Sequence, residues 1–281
     1  MTIFTAACIQ NHAKNNIADN LPIVRNLIRE AVNQKADFIA LPECVSLMET
    51  DAEALEAKAP EEKDHPFLPM YEEEARSSGA WILGGSLAVK LSTKKTKNKI
   101  ANRLYLFNPA GRIAATYDKI HMFDVDLGNN ISYRESATYE PGNQAVVTSL
   151  PWGNLGLSIC YDIRFAYLYR ALAHAGANIL CAPSAFTKIT GQAHWHILQR
   201  ARAIETGCFI ISPGLCGKHK QGKESFGHSV IIDPWGEVLA DGGTDVGIIT
   251  AKIDMTKVTE ARKKVPALTH DKTFKIINKS D

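Results

Sequence analysis

The chain has 281 residues and a formal net charge of +2, with 45% hydrophobic and 22% charged residues. That length and apolar content can bury a large core without disulfides or metals, and the near-neutral balance gives no electrostatic reason to expect nucleic acid or an anionic membrane as a partner. The N-terminus has no basic n-region, no stretch nears the roughly 18 apolar residues of a span, and six cysteines lie at irregular spacings, so a cytoplasmic protein in a reducing compartment is expected.

Phe4–Ile9 reads as the first strand. Leu21, Val24, Ile28 and Ala31 then mark one face of a helix, starting after a cap at Asn20. Phe38–Leu41 is a second strand, and Pro42 ends its hydrogen-bond ladder, leaving Glu43 at the rim. Strands follow at Trp81–Leu87, Leu104–Phe107 and Ile113–Tyr117, with Lys119 just past the last. Between them Lys90, Lys94, Lys95, Lys97 and Lys99 have no interleaved aromatics and read as a solvated loop.

Further strands are expected at Ala145–Leu150, Leu155–Cys160, Ile179–Ala182, Phe209–Ser212, Ser229–Ile232 and Val246–Ile253. Helices are expected at Ala193–Glu205, through Ile197, Ala201 and Ile204, and at Met255–Val265. Three segments, Asn108–Gly111, Leu150–Gly153 and Asp233–Gly236, put proline second and glycine fourth between strand-like runs, which is the signature of a type I turn. Hairpins mixed with strand–helix units predict an α/β protein with two mixed sheets face to face, helices outside, in a four-layer α-β-β-α sandwich. No composition shift divides the chain, so 1–275 is read as one domain and 276–281 as a short tail.

The most informative residue is Cys160, at the end of an apolar strand and just before a helix-compatible run. A thiol there is rigidly held, and the following N–H groups, that of Tyr161 first, can meet developing negative charge. A carboxylate (Glu43), an ammonium (Lys119) and a thiol at three strand ends suffice for acyl transfer if the ends meet: base, oxyanion partner and nucleophile. The plain alternative is a packed core cysteine, the reading given to Cys8, Cys44, Cys181, Cys208 and Cys216. A Cys–His dyad using His121 or His194 ranks lower. His194 and His196, two apart on a helix, point to different faces and offer no shared metal site.

Leu41-Pro42-Glu43, Tyr117-Asp118-Lys119-Ile120-His121 and Cys160-Tyr161-Asp162, in this order, resemble the nitrilase superfamily of carbon–nitrogen hydrolases from Ile3 to about Thr273. The resemblance implies a nitrilase-like sandwich, a Glu–Lys–Cys triad of Glu43, Lys119 and Cys160, and a second glutamate at Glu135. It implies hydrolysis of a small-molecule amide through a thioester, with no metal or organic cofactor, and a homodimer. Pro183–Trp195, with Phe226-Gly227-His228-Ser229, is similar to the branch containing deaminated glutathione amidases and ω-amidases. That branch implies a carboxylate-bearing amide, most closely deaminated glutathione, with α-ketoglutaramate as the alternative and a non-catalytic binding protein as the least favoured reading. Tyr161, Arg164, Phe186 and Thr187 are the expected substrate contacts, with Arg164 either pairing the carboxylate or serving as an ion-pair partner, and Phe186 and Trp195 either lining the pocket or filling the core.

Overall fold

A computed structural model of the chain describes residues 2–91, 99–128 and 131–279. Among these residues the order begins β1 (Ile3–Gln10), α1 (Ile17–Asn33), β2 (Phe38–Ala40), α2 (Ala52–Lys58), α3 (Phe67–Ser78), β3 (Trp81–Lys90), β4 (Ile100–Phe107) and β5 (Ile113–Asp118). Two short strands, β6 (Asp124–Asp126) and β7 (Ser132–Arg134), lead to β8 (Val146–Leu150), β9 (Gly153–Leu157), α4 (Ala166–His174), β10 (Ile179–Cys181) and α5 (Lys188–Thr206). The order closes with β11 (Phe209–Ser212), β12 (Cys216–Lys218), β13 (Glu224–Phe226), β14 (Val230–Ile232), β15 (Val238–Asp241), β16 (Gly247–Asp254) and α6 (Thr256–Lys264). Residues 271–279 are exposed and have no regular structure. Lys94, Lys95 and Lys97 of the lysine-rich segment lie outside the described residues.

Two larger sheets form, in the orders β16-β1-β2-β3-β4-β5 and β15-β14-β11-β10-β9-β8. Each has three parallel central strands, β1-β2-β3 and β9-β10-β11, flanked by antiparallel neighbours. The three Pro-x-Gly turns expected from sequence each close an antiparallel pair: β4–β5, β8–β9 and β14–β15. The period-2 alternation of a strand then separates the layers. Phe4, Ala6 and Cys8 of β1 face the middle, with Phe38 and Ala40 and with Leu155, Leu157 and Phe209 of the opposite sheet. Ala7 and Ile9 face outward, under Val24 and Ile28 of α1 and Phe67 and Tyr71 of α3. Leu168 and Leu172 of α4 and Ala203 of α5 cover the second sheet from outside, completing the α-β-β-α sandwich.

Several local expectations shift. α1 starts at Ile17 with Asn16 as its cap, while Asn20 is buried and ties its amide to Lys14, Asn16 and Ser46. α5 starts at Lys188, and its apolar stripe lies on the other side from the one expected: Ile197 and Ile204 are 70% and 53% exposed, whereas Gln199 and Arg202 are buried. The inversion is supported by partners for the Gln199 side-chain carbonyl and the Arg202 guanidinium, although the Gln199 amide nitrogen is buried without one among the described residues. Gln199 accepts from the Ser212 hydroxyl and Arg202 donates to the Ile163 carbonyl. The strand expected to reach Cys160 ends at Leu157, and a 3-10 turn runs over Cys160–Arg164.

Glycine sets one close approach that matters for the rim. β3 is irregular between Leu83 and Ser86, and Gly85 has φ +68. A Cβ there would lie 2.2 Å from the Pro42 carbonyl oxygen, which accepts from the Ser86 N–H. Gly85→Ala is therefore expected to cost about 1–3 kcal/mol or more through the strained φ and the backbone clash. Urea unfolding at unchanged slope measures this, and an alanine variant as stable as the parent would show that the approach is not needed.

Candidate active site

Glu43, Lys119 and Cys160 come from three separate strand ends and meet in the interior. Glu43 stands three residues past β2, where Leu41 still pairs with β3 through the Leu83 carbonyl and Pro42 then stops the ladder. Lys119 directly follows β5, its backbone fixed by bonds to Asn102 and Gly142. Cys160 opens the 3-10 turn with φ +46, a left-handed conformation unusual for a non-glycine residue, and its N–H donates to the Pro183 carbonyl.

Their side chains are 4%, 2% and 8% exposed as residues, in the same order. Lys119 Nζ donates to Glu43 Oε1 at 2.9 Å and to Glu135 Oε1 and Oε2 at 2.9 and 2.8 Å. Asn102 Nδ2 donates to Glu43 Oε1 at 2.9 Å and to Glu135 Oε1 at 3.3 Å. The second Glu43 oxygen accepts from the Ala185 N–H at 2.8 Å, and Glu135 Oε2 from the Phe123 N–H at 2.6 Å. Every ionised group thus has charged or hydrogen-bonded partners, which burial demands.

The electrostatics follow from these neighbours. Burial opposes the charge on Lys119, but Glu135 and Glu43 outweigh it and hold the ammonium well above its ordinary range. For Cys160, burial and then the Glu43 charge push the thiol well above its ordinary range, against the pull of Lys119. That direction favours the protonated thiol, and the Glu43 carboxylate that contributes to it lies within hydrogen-bonding reach of the sulfur. The geometry is competent for acyl transfer without a free thiolate in the resting site.

Asp162 fixes the frame, a role its place in the Cys-Tyr-Asp motif did not reveal. Fully buried, it accepts from the Tyr117 hydroxyl (2.7 Å), the Ile159 N–H (2.9 Å) and both the backbone and the Nδ1 of His121 (3.0 and 2.7 Å). It therefore clamps the Cys160 turn to the residues on either side of Lys119. His121 also meets the Tyr167 hydroxyl and stacks on Phe165 at 3.5 Å, and His194 meets Arg164. Neither histidine lines the pocket above Cys160.

That pocket has a volume of about 400 Å3. Tyr161, Phe186 and Thr187, read from the sequence as substrate contacts, are among its lining residues. Phe186 also rests on Trp195, which is core, and Thr187 caps α5 by accepting from the Thr190 N–H. Arg164 lies apart from the lining, its guanidinium over the rings of Tyr161 and Phe186 at 5.7 and 5.3 Å. Of the cations that line the pocket, Lys119 is held by the two glutamates and Arg134 donates to the Val125 and Tyr133 carbonyls, while Lys223 lies 5.1 Å over the Tyr133 ring and, among the described residues, has no carboxylate partner. Burial draws its pKa below the ordinary lysine value. In sequence Lys223 sits in a polar, glycine-containing stretch that reads as surface loop, so nothing there marked it.

Residues 5–263 match the family model of carbon–nitrogen hydrolases. A protein named deaminated glutathione amidase from Synechocystis is 38% identical over 96% of this chain and 98% of its own length, and one from Yersinia enterocolitica is 36% identical over 95% and 92%. Omega-amidase NIT2 of Homo sapiens is 35% identical over 95% of this chain and 94% of its own. Among solved structures, the C. elegans NitFhit protein superposes with a TM-score of 0.88 at 32% identity, covering 96% of this chain and 65% of that one. Saccharomyces cerevisiae Nit3, described as a member of the nitrilase superfamily, gives 0.83 at 25% identity, covering 94% and 95%. Matched along nearly its whole length in sequence and in fold, this chain belongs to the carbon–nitrogen hydrolases of the nitrilase superfamily and is a hydrolytic amidase.

Proposed function

We propose that this amidase hydrolyses deaminated glutathione through a thioester on Cys160. The observation that carries the reading is the buried cluster in which the Lys119 ammonium is held between Glu43 and Glu135 beside the Cys160 thiol. Glu43 takes the thiol proton as sulfur attacks the amide carbon. The oxyanion then faces Lys119 and the Tyr161 N–H, at the start of the 3-10 turn. The C–N bond breaks with its electron pair on nitrogen, and the proton on Glu43 passes to the leaving amine. A water molecule then gives a proton to Glu43 and attacks the thioester carbon. The C–S bond breaks, the proton returns to sulfur, and one water is consumed per turnover. Glu135 holds Lys119 in position from the opposite side.

The substrate assignment rests on the relatives named for that activity and on the pocket. A volume near 400 Å3 falls in the range of drug-sized ligands, roughly 300–1,000 Å3. That suits an amide bearing a peptide-like leaving group. The rival reading, an ω-amidase acting on α-ketoglutaramate, is favoured by the NIT2 relatives. Tyr161, Phe186 and Thr187 form the wall. We assign the substrate carboxylate to Lys223, and Arg164 to bracing the Tyr161 and Phe186 rings. Residues 1–275 are taken as one hydrolase domain with a short tail after it. A cytoplasmic setting agrees with six thiols in the free state. A homodimer agrees with the exposed row Ile189, Ile197 and Ile204 on α5.

Turnover, intact mass, variant kinetics and sedimentation test these readings. Cys160→Ala is expected to lower turnover of deaminated glutathione by roughly a thousandfold or more, and intact-mass analysis of the native chain should find the acyl adduct on Cys160. Turnover that survives the substitution removes Cys160 as nucleophile, and faster hydrolysis of α-ketoglutaramate than of deaminated glutathione reverses the substrate ranking. Lys223→Ala should raise KM about tenfold for a carboxylate-bearing amide at little cost in kcat, and Lys223→Arg should restore it. An equal rise for an uncharged analogue would reduce Lys223 to a piece of wall. Sedimentation at micromolar concentration should give the mass of two chains, and a monomer alone would contradict the dimer.

A further inference from the structure

On the outer side of the second sheet, well outside the catalytic cluster, three side chains from three elements converge. His196 projects from the middle of α5, His228 from the link between β13 and β14, and Asp241 from the end of β15. His196 Nε2 lies 2.8 Å from Asp241 Oδ2, and His228 Nδ1 lies 2.9 Å from Asp241 Oδ1. The three ligand-capable atoms all fall within 4.8 Å of one another. We propose that His196, His228 and Asp241 form a site for a divalent transition-metal ion of the zinc class.

The donor set is the first argument. Two imidazole nitrogens and one carboxylate oxygen suit zinc and its borderline neighbours, and they leave a fourth position for water. Around an ion with metal–nitrogen bonds of roughly 2.0–2.1 Å, tetrahedral ligand atoms stand about 3.3 Å apart. The two histidine nitrogens meet different oxygens of Asp241, at 2.8 and 2.9 Å, and with one carboxylate oxygen as the ligand the three ligand atoms already lie within 4.8 Å of one another.

The second argument is that the rings and the carboxylate are held in place by groups other than each other. The His228 ring stacks on Phe226 at 4.4 Å, and its backbone is pinned at both ends: its N–H donates to the Gly243 carbonyl and its carbonyl accepts from the Trp195 indole. That pinning holds His228 at φ +52, a left-handed conformation. His196 meets the edge of the same Phe226 ring at 6.0 Å. Asp241 Oδ1 also accepts from the Gly243 N–H, so its orientation is fixed from outside. These are the outer supports that orient ligands at metal sites. The three side chains remain partly open to solvent, which gives an ion an entry path. A bound ion would staple α5 to the β14–β15 hairpin, with no part in the amide chemistry.

The site is tested by isothermal titration of the full chain with zinc chloride in a Cys160→Ala background, so that the catalytic thiol cannot be the ligand. The expected result is one ion per chain, weakened at least about tenfold by His196→Ala and by Asp241→Asn. Thermal melting should show the same pattern, a zinc-dependent rise in Tm in the background protein that the two variants lack. His196 and Asp241 lie partly in solvent, so both variants should fold, and their metal-free melting temperatures check this. Saturation that is absent, or that persists unchanged in His196→Ala, overturns the proposal and leaves a hydrogen-bonded His–Asp–His cluster.

Discussion

The ammonium of Lys119, buried between two carboxylates, is the constraint on which the rest of the molecule turns. A lysine this deeply enclosed is tolerable only with its charge matched, and Glu43 and Glu135 both bond to it. Removing one partner from such a pair typically costs about 3–5 kcal/mol, because the surviving charge is left without either water or a counterion. The β2 end, the β5 end and the segment after β7 therefore cannot settle independently. Glu43 extends the constraint across the sandwich, since its second oxygen accepts from Ala185, four residues past β10 of the opposite sheet. The same carboxylate pushes the pKa of the neighbouring Cys160 thiol upward.

The framework around this cluster is built to keep it still. Asp162 collects four hydrogen bonds from both sides of the Lys119 segment and from the strand entering Cys160. The left-handed conformation at Cys160 persists because its own N–H is tied to Pro183 and its turn is clamped by that carboxylate. A site with so many fixed dipoles needs little reorganisation as charge moves, which is the condition under which electrostatic stabilisation is strongest. The pocket above it is more varied, with aromatic rings, a helix cap and the cations Arg134 and Lys223, and it is there that a family of common chemistry can differ in substrate.

α5 shows how one helix serves several ends. Its cap residue, Thr187, lines the pocket, and Trp195 fills the core beneath Phe186. His196 and Ile197, the next two residues, turn outward to the Asp241 cluster and to solvent. Such a division is possible because successive helical residues are rotated by about 100°, so neighbours in sequence reach different layers. A period of that kind identifies a helix but does not say which side is inner.

Read alone, the chain placed eleven of the twelve strands of the two larger sheets, the three turns, and the strand ends that carry Glu43, Lys119 and Cys160, but not β6, β7, β12, β13 or the edge strand β15. These were legible because β-alternation, Pro-x-Gly turns and a proline after a strand are local properties. Glu135 was legible only through resemblance to a family. What the tertiary structure alone decided were matters of long-range partnership: that Gln199 and Arg202 face inward while Ile197 faces out, that Arg164 braces rings while Lys223 reaches the pocket, that Asp162 is the clamp, and that His196 meets His228 and Asp241. In each case the outcome depends on which distant group satisfies a buried or half-buried polar atom, and no spacing within a segment encodes the position of a partner 30 or 40 residues away.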